Sequence, residues 1–497
     1  MRASGILMPV FSLPSRYGIG SFSKSAYQFV DMLKKAGQKY WQILPLCPTS
    51  YGDSPYQSFS TYAGNPYFID LDQLIEDKLL TRKECQACDF GDDPQDIDYG
   101  KLYENRFKLL RKAYERANVG EDQEFEAYRR ENAWWLDDYA LFMAVKDRFD
   151  GVAWNEWAED IRLRWSNAMD YYRRELYYEI EFYSYLQFVF MKQWKKLKNY
   201  ANINGIEIIG DIPIYVAFDS ADAWANPELF QFDSENLPTA VAGCPPDGFS
   251  ADGQLWGNPL YRWDYHRETG FDWWIRRIAY CSELYDVVRI DHFRGFDEYY
   301  SIPYGDTTAR NGHWEKGPGI ALFEAAKNRL GELNIIAEDL GYITDSVKKL
   351  VADSGFPGMK VLEFAFDSRE KSDYLPYTYE KNSVVYTGTH DNETIAGWYA
   401  GLDKSDLKMC TDYMNIDRIP GKEYHWDFIR LAMLSVSDLC VIPIQDYLGL
   451  DNRARINHPS TLGTNWRWRL AKGQLSASLL KEIREMTRIS GRLQNGE

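Results

Sequence analysis

The chain lacks a surplus of positive charge: 57 lysines and arginines stand against 74 aspartates and glutamates, a formal net charge of -17 over 497 residues. That balance repels a phosphate backbone unless a local basic patch overrides it. The densest basic run, Lys192, Lys195, Lys196 and Lys198, falls on a long helical pattern and reads as its solvated face, so no nucleic-acid partner is expected. Long apolar runs are missing too. The stretch Gly5-Ile6-Leu7-Met8-Pro9 is too short for a secretory signal, and no later run reaches bilayer-spanning length. A cytoplasmic protein with no membrane partner is therefore predicted. Seven cysteines, an odd number spread along the chain, outline no disulfide framework. Cys85 and Cys88 make one C-x-x-C, but no second Cys or His pair lies at a zinc-site spacing. There is no H-E-x-x-H, no third clustered histidine and no G-x-G-x-x-G opening a helix, which argues against metal hydrolysis and dinucleotide binding. No internal repeat or low-complexity tract interrupts the chain.

What is present in excess is aromatic. Trp, Tyr and Phe reach 16 % of residues, with 17 Trp and 36 Tyr. Flat rings with polar edges suit the apolar faces of sugars, although most individual rings are expected in the core. Hydrophobic residues at 45 % and charged ones at 26 % fit a globular enzyme with a large core.

Apolar, β-branched runs alternate with helical patterns. Residues 5–11 read as a strand; Ser21 or Ser23 can then cap a helix with Ala26, Phe29, Val30 and Leu33 on one stripe, ending at Gly37. Further strands are expected at 40–46, 206–212, 287–291, 334–337, 359–366, 383–387 and 439–445, with helical patterns such as 320–330 between several of them. Eight strands with helical crossovers predict an α/β fold, a closed (β/α)8 TIM barrel, with an open doubly wound sheet as the alternative. The interval between the second and third strands is far too long for a connection and must fold as a mainly helical insertion. Tyr103, Phe107, Leu110, Tyr114 and Ala117 form one of its expected stripes, and 133–149 and 175–200 read as longer helices. The division predicted is a barrel of 1–46 and 186–497, an insertion of 47–185, and a smaller lid-like insertion of 230–263 after the third strand.

Three carboxylates stand at or just beyond three strand ends: Asp291 in Val287-Val288-Arg289-Ile290-Asp291-His292, Glu338 in Ile335-Ile336-Ala337-Glu338-Asp339, and Asp391 in Tyr386-Thr387-Gly388-Thr389-His390-Asp391. An acid is costly inside a buried strand but useful where the strand opens into a cleft. Retaining glycoside chemistry needs one carboxylate to attack the anomeric carbon and a second acid, about 5 Å away, to protonate the leaving oxygen. Asp291 and Glu338, on the fourth and fifth strands, are expected to be neighbours at one mouth. Glu338 must then be protonated near neutral pH, with burial and nearby carboxylates raising its pKa, while Arg289 keeps Asp291 ionised.

Several long motifs, in order, carry a resemblance: Trp41-Gln42-Ile43-Leu44-Pro45-Leu46, Gly52-Asp53-Ser54-Pro55-Tyr56-Gln57, Gly210-Asp211-Ile212-Pro213-Ile214-Tyr215, residues 245–261, and the three acidic segments. Together they cover nearly the whole chain, which resembles the 4-alpha-glucanotransferases of the amylomaltase or disproportionating-enzyme type, in the broad alpha-amylase-like barrel group. The resemblance implies Asp291 as nucleophile, Glu338 as acid and then base, and Asp391 as a third acid that grips sugar hydroxyls. It implies no metal and no organic cofactor. Ser54, Tyr56, Gln254 and Trp256 resemble cleft residues and Asp367 an acceptor-side contact; His292 and His390, each beside an acid, are expected to meet sugar hydroxyls. Asp211 and Arg289 are counted with the substrate site, although a structural salt bridge explains Asp211 nearly as well. In residues 245–261, Trp256 and Phe249 are expected to shield the site while Gln254 and Asn258 reach sugar edges. The partners implied are alpha-1,4-glucans and a glucose acceptor; the chain is expected to be a monomer or weak dimer. An alpha-glucan hydrolase and a silent glucan-binding protein remain the alternatives.

Overall fold

The computed structural model describes residues 2–50, 52–246, 250–341, 343–417 and 423–494. Its strands, in chain order, are β1 (Ala3–Leu7), β2 (Tyr40–Gln42), β3 (Glu207–Pro213), β4 (Ala240–Cys244), β5 (Gln254–Pro259), β6 (Val287–Asp291), β7 (Glu298–Pro303), β8 (His313–Lys316), β9 (Ile335–Ala337), β10 (Gly358–Val361), β11 (Ser383–Tyr386) and β12 (Leu439–Pro443). Eight of them, in the circular order β1-β12-β11-β10-β9-β6-β3-β2, close into a barrel, and every pairing within it is parallel. The period of two explains why these strands are apolar throughout. Leu7, Ile209, Ile336, Met359, Val361, Val384, Tyr386 and Val441 form one cluster that fills the barrel. Their sequence neighbours Ile6, Ile208, Ile335, Val385, Cys440 and Ile442 face the helices and join the larger core.

Several strands end sooner than the sequence suggests. Val10 to Ser12 form a 3-10 turn, Leu362 to Phe364 form another directly after β10, and a helical turn begins at Ile444 after β12. Apolar content alone does not distinguish a strand from the buried turn that follows it at a barrel mouth.

Helix Lys24–Lys35 buries the expected stripe of Ala26, Phe29, Val30 and Leu33. The insertion between β2 and β3 is built on helices Tyr99–Ala117, Gln123–Arg148 and Tyr177–Ile203. On the first of these the buried face is Leu102, Arg106, Leu109, Leu110, Ala113 and Tyr114, whereas Tyr103 is 65 % exposed. The expected stripe is thus turned by about one residue, because Arg106, an unpromising core residue, is buried with its guanidinium donating to the carbonyls of Ile69 and Tyr17. Helix Tyr177–Ile203 passes unbroken through position 185, so insertion and crossover share one rod. Gln187 and Gln193 tie it down: each side-chain amide both accepts from and donates to one residue's backbone, Gly64 and Asp70 respectively.

The segment expected as a lid-like insertion holds a β-hairpin. β4 and β5 pair antiparallel and join β7 and β8 in a four-stranded sheet of order β5-β4-β7-β8. Asn258 anchors this hairpin to the barrel, donating to the Val216 carbonyl at 2.8 Å and accepting from Gln57 at 3.1 Å. Among the described residues no helix is long and apolar enough to cross a membrane.

Candidate active site

Strand parity assembles the acidic pair. Arg289 and Asp291 lie two apart on β6 and share its inner face; Ile336 and Glu338 do the same from β9. The register Arg289↔Ile336 and Ile290↔Ala337 carries Asp291 and Glu338 to the same level at the carboxyl ends of adjacent strands. Backbone bonds extend that register past the strands: Glu338 N–H donates to Ile290 O at 3.1 Å and Phe293 N–H to Glu338 O at 2.9 Å. His292 has a left-handed backbone, φ 54°, rare for a residue with a Cβ. Its N–H donates to Glu338 Oε2 at 2.6 Å, and Leu340 N–H donates to Oε1 at 2.9 Å. The two acids thus stand at the ends of adjacent, in-register strands.

Beneath them lies a buried ion network. Asp211 and Arg289 are register partners on β3 and β6. Arg289 Nη1 donates to both Asp211 oxygens at 2.8 and 2.6 Å, and Nη2 to Asp291 Oδ1 at 3.0 Å. Tyr56 OH donates to Asp211 Oδ2 at 2.8 Å. Asp211 is 0 % and Arg289 3 % exposed, so both sit under the cleft and hold Asp291 and Tyr56 in place rather than lining it.

Burial pushes Asp291 well above, and Glu338 above, the usual carboxylate range; Arg289 opposes this at both, and the two backbone N–H bonds oppose it at Glu338. Neighbouring buried carboxyls do not both ionise cheaply, so the pair retains a proton at higher pH than a solvated acid would. Among the described residues a guanidinium, that of Arg289, lies 3.0 Å from an Asp291 oxygen and none pairs with Glu338, an asymmetry that favours the charge on Asp291 and the shared proton on Glu338. Burial and Arg294 push His292 down to about 3, and burial lowers His390; both rings are neutral near pH 7 and available as hydrogen-bonding groups.

Asp391 faces the pair from the turn after β11. Asn457 donates to its Oδ1 at 2.6 Å, His390 Nε2 lies 3.3 Å from its Oδ2, and Arg455 holds its backbone carbonyl at 2.7 Å. A cavity of about 620 Å³ unites Asp291 and Asp391 with Ser54, Tyr56, Gln254, Trp256, His292 and His390. Tyr56 stacks on His390, ring centres 5.1 Å apart, and Trp256 meets His292 edge-on at 4.8 Å.

The family model described as 4-alpha-glucanotransferase matches residues 8–475. The chain belongs to that family. The 4-alpha-glucanotransferase of Clostridium butyricum is 49 % identical over 98 % of this chain and 100 % of its own, and that of Thermus thermophilus 46 % over 99 % of each. The solved amylomaltase of Streptococcus agalactiae, in complex with acarbose, superposes with a TM-score of 0.96 at 44 % identity, covering 99 % of this chain and 100 % of its own.

Within this family member the remaining expected residues divide. Asp367 is absent from the cavity lining; Arg369 grips both of its oxygens at 2.8 and 2.6 Å and holds its carboxyl down to about 2. Asn258 touches the cavity but is committed to Gln57 and Val216. Phe249 lies outside the described residues. Sequence reasoning missed Asn457, Arg455 and Trp466, which come from an irregular segment with no hydrophobic period; its one available signal was a tryptophan in a Pro- and Gly-containing loop, and Trp466 is buried. A larger cavity of about 1060 Å³ lies between the insertion helices and the barrel rim, lined by Tyr103, Phe107, Tyr139 and Asp219 among others. It contains none of the three acids, whereas the smaller one is lined by Asp291 and Asp391. Among the described residues no cluster of three or more His, Cys, Asp or Glu could hold a metal ion.

Proposed function

We propose that this 4-alpha-glucanotransferase moves a segment of an alpha-1,4-glucan to the 4-hydroxyl of another glucan, or of glucose, by a retaining double displacement at Asp291 and Glu338. The adjacency of those two carboxyls at one barrel mouth, set by the β6–β9 register and the His292 N–H on Glu338, carries the reading. In the first step the Asp291 carboxylate bonds to the anomeric carbon as its bond to the 4-oxygen breaks, and Glu338 gives that oxygen its proton. In the second, Glu338 takes the proton of the acceptor 4-hydroxyl, whose oxygen displaces Asp291. Charge developing on the ring is met by ionised Asp291, and Asp391, held by Asn457, grips hydroxyls of the distorted sugar. His292 and His390, neutral and bordering the cleft, complete the polar contacts with Gln254 and Ser54.

Transfer outruns hydrolysis only if a sugar hydroxyl reaches the intermediate before water. The β4–β5 hairpin supports this: Trp256 meets His292 edge-on, donates its indole N–H to Gln254 at 3.0 Å, and lines the same cavity as Asp291. Incubation with maltotriose alone tests the reading. Glucose plus a ladder of longer oligomers is expected; shorter sugars only would identify a hydrolase. Asp291→Asn should abolish turnover while glucan binding persists, and a variant that keeps turning over would remove Asp291 from the nucleophile's role.

A further inference from the structure

Residues 387–395, which present His390 and Asp391, are held from behind by two acids that no step above uses. Asp446, after β12, spans the turn: its Oδ2 accepts from Thr387 Oγ1 and its Oδ1 from Ile395 N–H at 2.8 Å. Inside the turn Asn392 Oδ1 accepts from Thr389 N–H at 2.9 Å and Thr389 Oγ1 at 2.8 Å, and Thr389 Oγ1 accepts from Asp391 N–H at 3.3 Å. Asn392 Cβ and the Glu363 carboxyl both flank Gly388, 3.1 and 2.7 Å from where its Cβ would stand.

Glu363 is an unusual tenant. It is 8 % exposed, its Oε1 has no hydrogen-bond partner among the described residues, and that oxygen lies 2.7 Å from where a Cβ on Gly388 would stand. Its own N–H donates to Thr387 O at 3.2 Å, fastening the end of β10 to the start of the turn. Asp446, Glu393 and Arg455 are the charged groups that face it. A buried carboxyl with one oxygen unsatisfied lowers stability and calls for an explanation.

We infer that Glu363 is a positioning residue for glucan transfer, its carboxyl wedged beneath Gly388 and its backbone N–H fastened to Thr387, so that the turn delivers His390 and Asp391 to the sugar in one fixed orientation. It is absent from the cleft lining and acts only through the turn. Burial and the neighbouring Asp446 hold its ionisation well above the ordinary range, so it serves as a neutral shape and hydrogen-bonding group. The inference rests on the reading of Asp391 as third acid.

The test is steady-state transfer from maltotriose by the full-length enzyme, with thermal unfolding measured alongside. Glu363→Gln, which keeps shape and acceptor, should stay within about twofold of the parent; Glu363→Ala should lower kcat about tenfold or more with KM shifted less than about threefold. Wild-type kcat in Glu363→Ala overturns the proposal, and so does a Gln variant as impaired as Ala, because charge rather than shape would then matter. Should Glu363→Ala fail to fold, Gly388→Ala keeps the carboxyl and drives a methyl into it; the same kcat loss is expected, and an unchanged kcat overturns the role. Asp391→Asn run in parallel separates the two ideas. Activity lost there but intact in Glu363→Ala sinks only the positioning role, whereas activity intact in Asp391→Asn sinks the third acid itself.

Discussion

The floor and the rim of the cleft are made of different material. The floor, Asp211, Arg289, Asp291 and Glu338, is carried on barrel strands or within one residue of them, and each side chain is fixed by register and by charged or backbone hydrogen bonds. The rim, Tyr56, Trp256, Asn457 and Trp466, comes from inserted or irregular segments and is held by ring contacts and side-chain amides, with Tyr56 also tied to the floor through Asp211. A floor so built sets which bond breaks, because misplacing a reacting atom by 1 Å can cost about 100-fold. A rim so built sets which nucleophile arrives second.

That contrast can be broken first at the floor. Asp291→Asn should reduce transfer about 10⁴-fold or more, since the nucleophile and its proton partner act as a unit; a loss below about 100-fold, measured on maltotriose, would mean that the floor does not carry the chemistry. The pH profile of kcat/KM is the next largest effect, with limbs of about tenfold per pH unit. As pH rises, Glu338 loses the proton that burial lets it keep, and the rate falls; as pH falls, Asp291 gains one, and the rate falls again. Both limbs should lie above the range of solvated carboxylates, and Glu338→Gln should abolish the alkaline one. A profile with limbs at ordinary carboxylate values would deny the burial effect.

At the rim the effects are smaller and of another kind. Trp256→Ala should leave total bond cleavage within about tenfold while raising the ratio of hydrolysis to transfer several-fold, read from the reducing sugar and the oligomer ladder released from maltotriose. An unchanged ratio would take the water-shielding role from the hairpin. Asp367→Asn, outside the cavity and already paired with Arg369, should change acceptor KM by less than about threefold, as expected for an exposed ion pair. A larger effect would restore Asp367 to the acceptor side.

The same division decided what could be read from the sequence. Strand-borne features announce themselves: VVRID and IIA are apolar runs whose period of two fixes where the next side chain points, so the eight strands, the barrel and the placing of Asp291 and Glu338 at neighbouring strand ends were legible. β7 and β8 were not, because EYYSIP is a short run ending in proline and HWEK is mostly polar, so neither signals a strand before its pairing with β4 or β7 is known. Asp211 and Arg289 were legible as near-site residues, but their role is decided by depth, which no pattern along one chain encodes. Asn457 and Trp466 were invisible for the reason that makes them rim residues: their segment has no period, and only tertiary packing brings it to Asp391. Arg106 shows the same limit in the insertion, where a fully buried arginine reset the helix face that aromatic spacing suggested.

The most direct test of the central claim is to trap the intermediate. In Glu338→Gln, an activated maltosyl fluoride needs no acid to leave, while the base for the second step is gone, so a glycosyl-enzyme should accumulate. Intact-mass and peptide mass spectrometry should find one maltosyl adduct, on the peptide containing Asp291. An adduct on Asp391 or any other residue, or turnover with no adduct, would contradict the account.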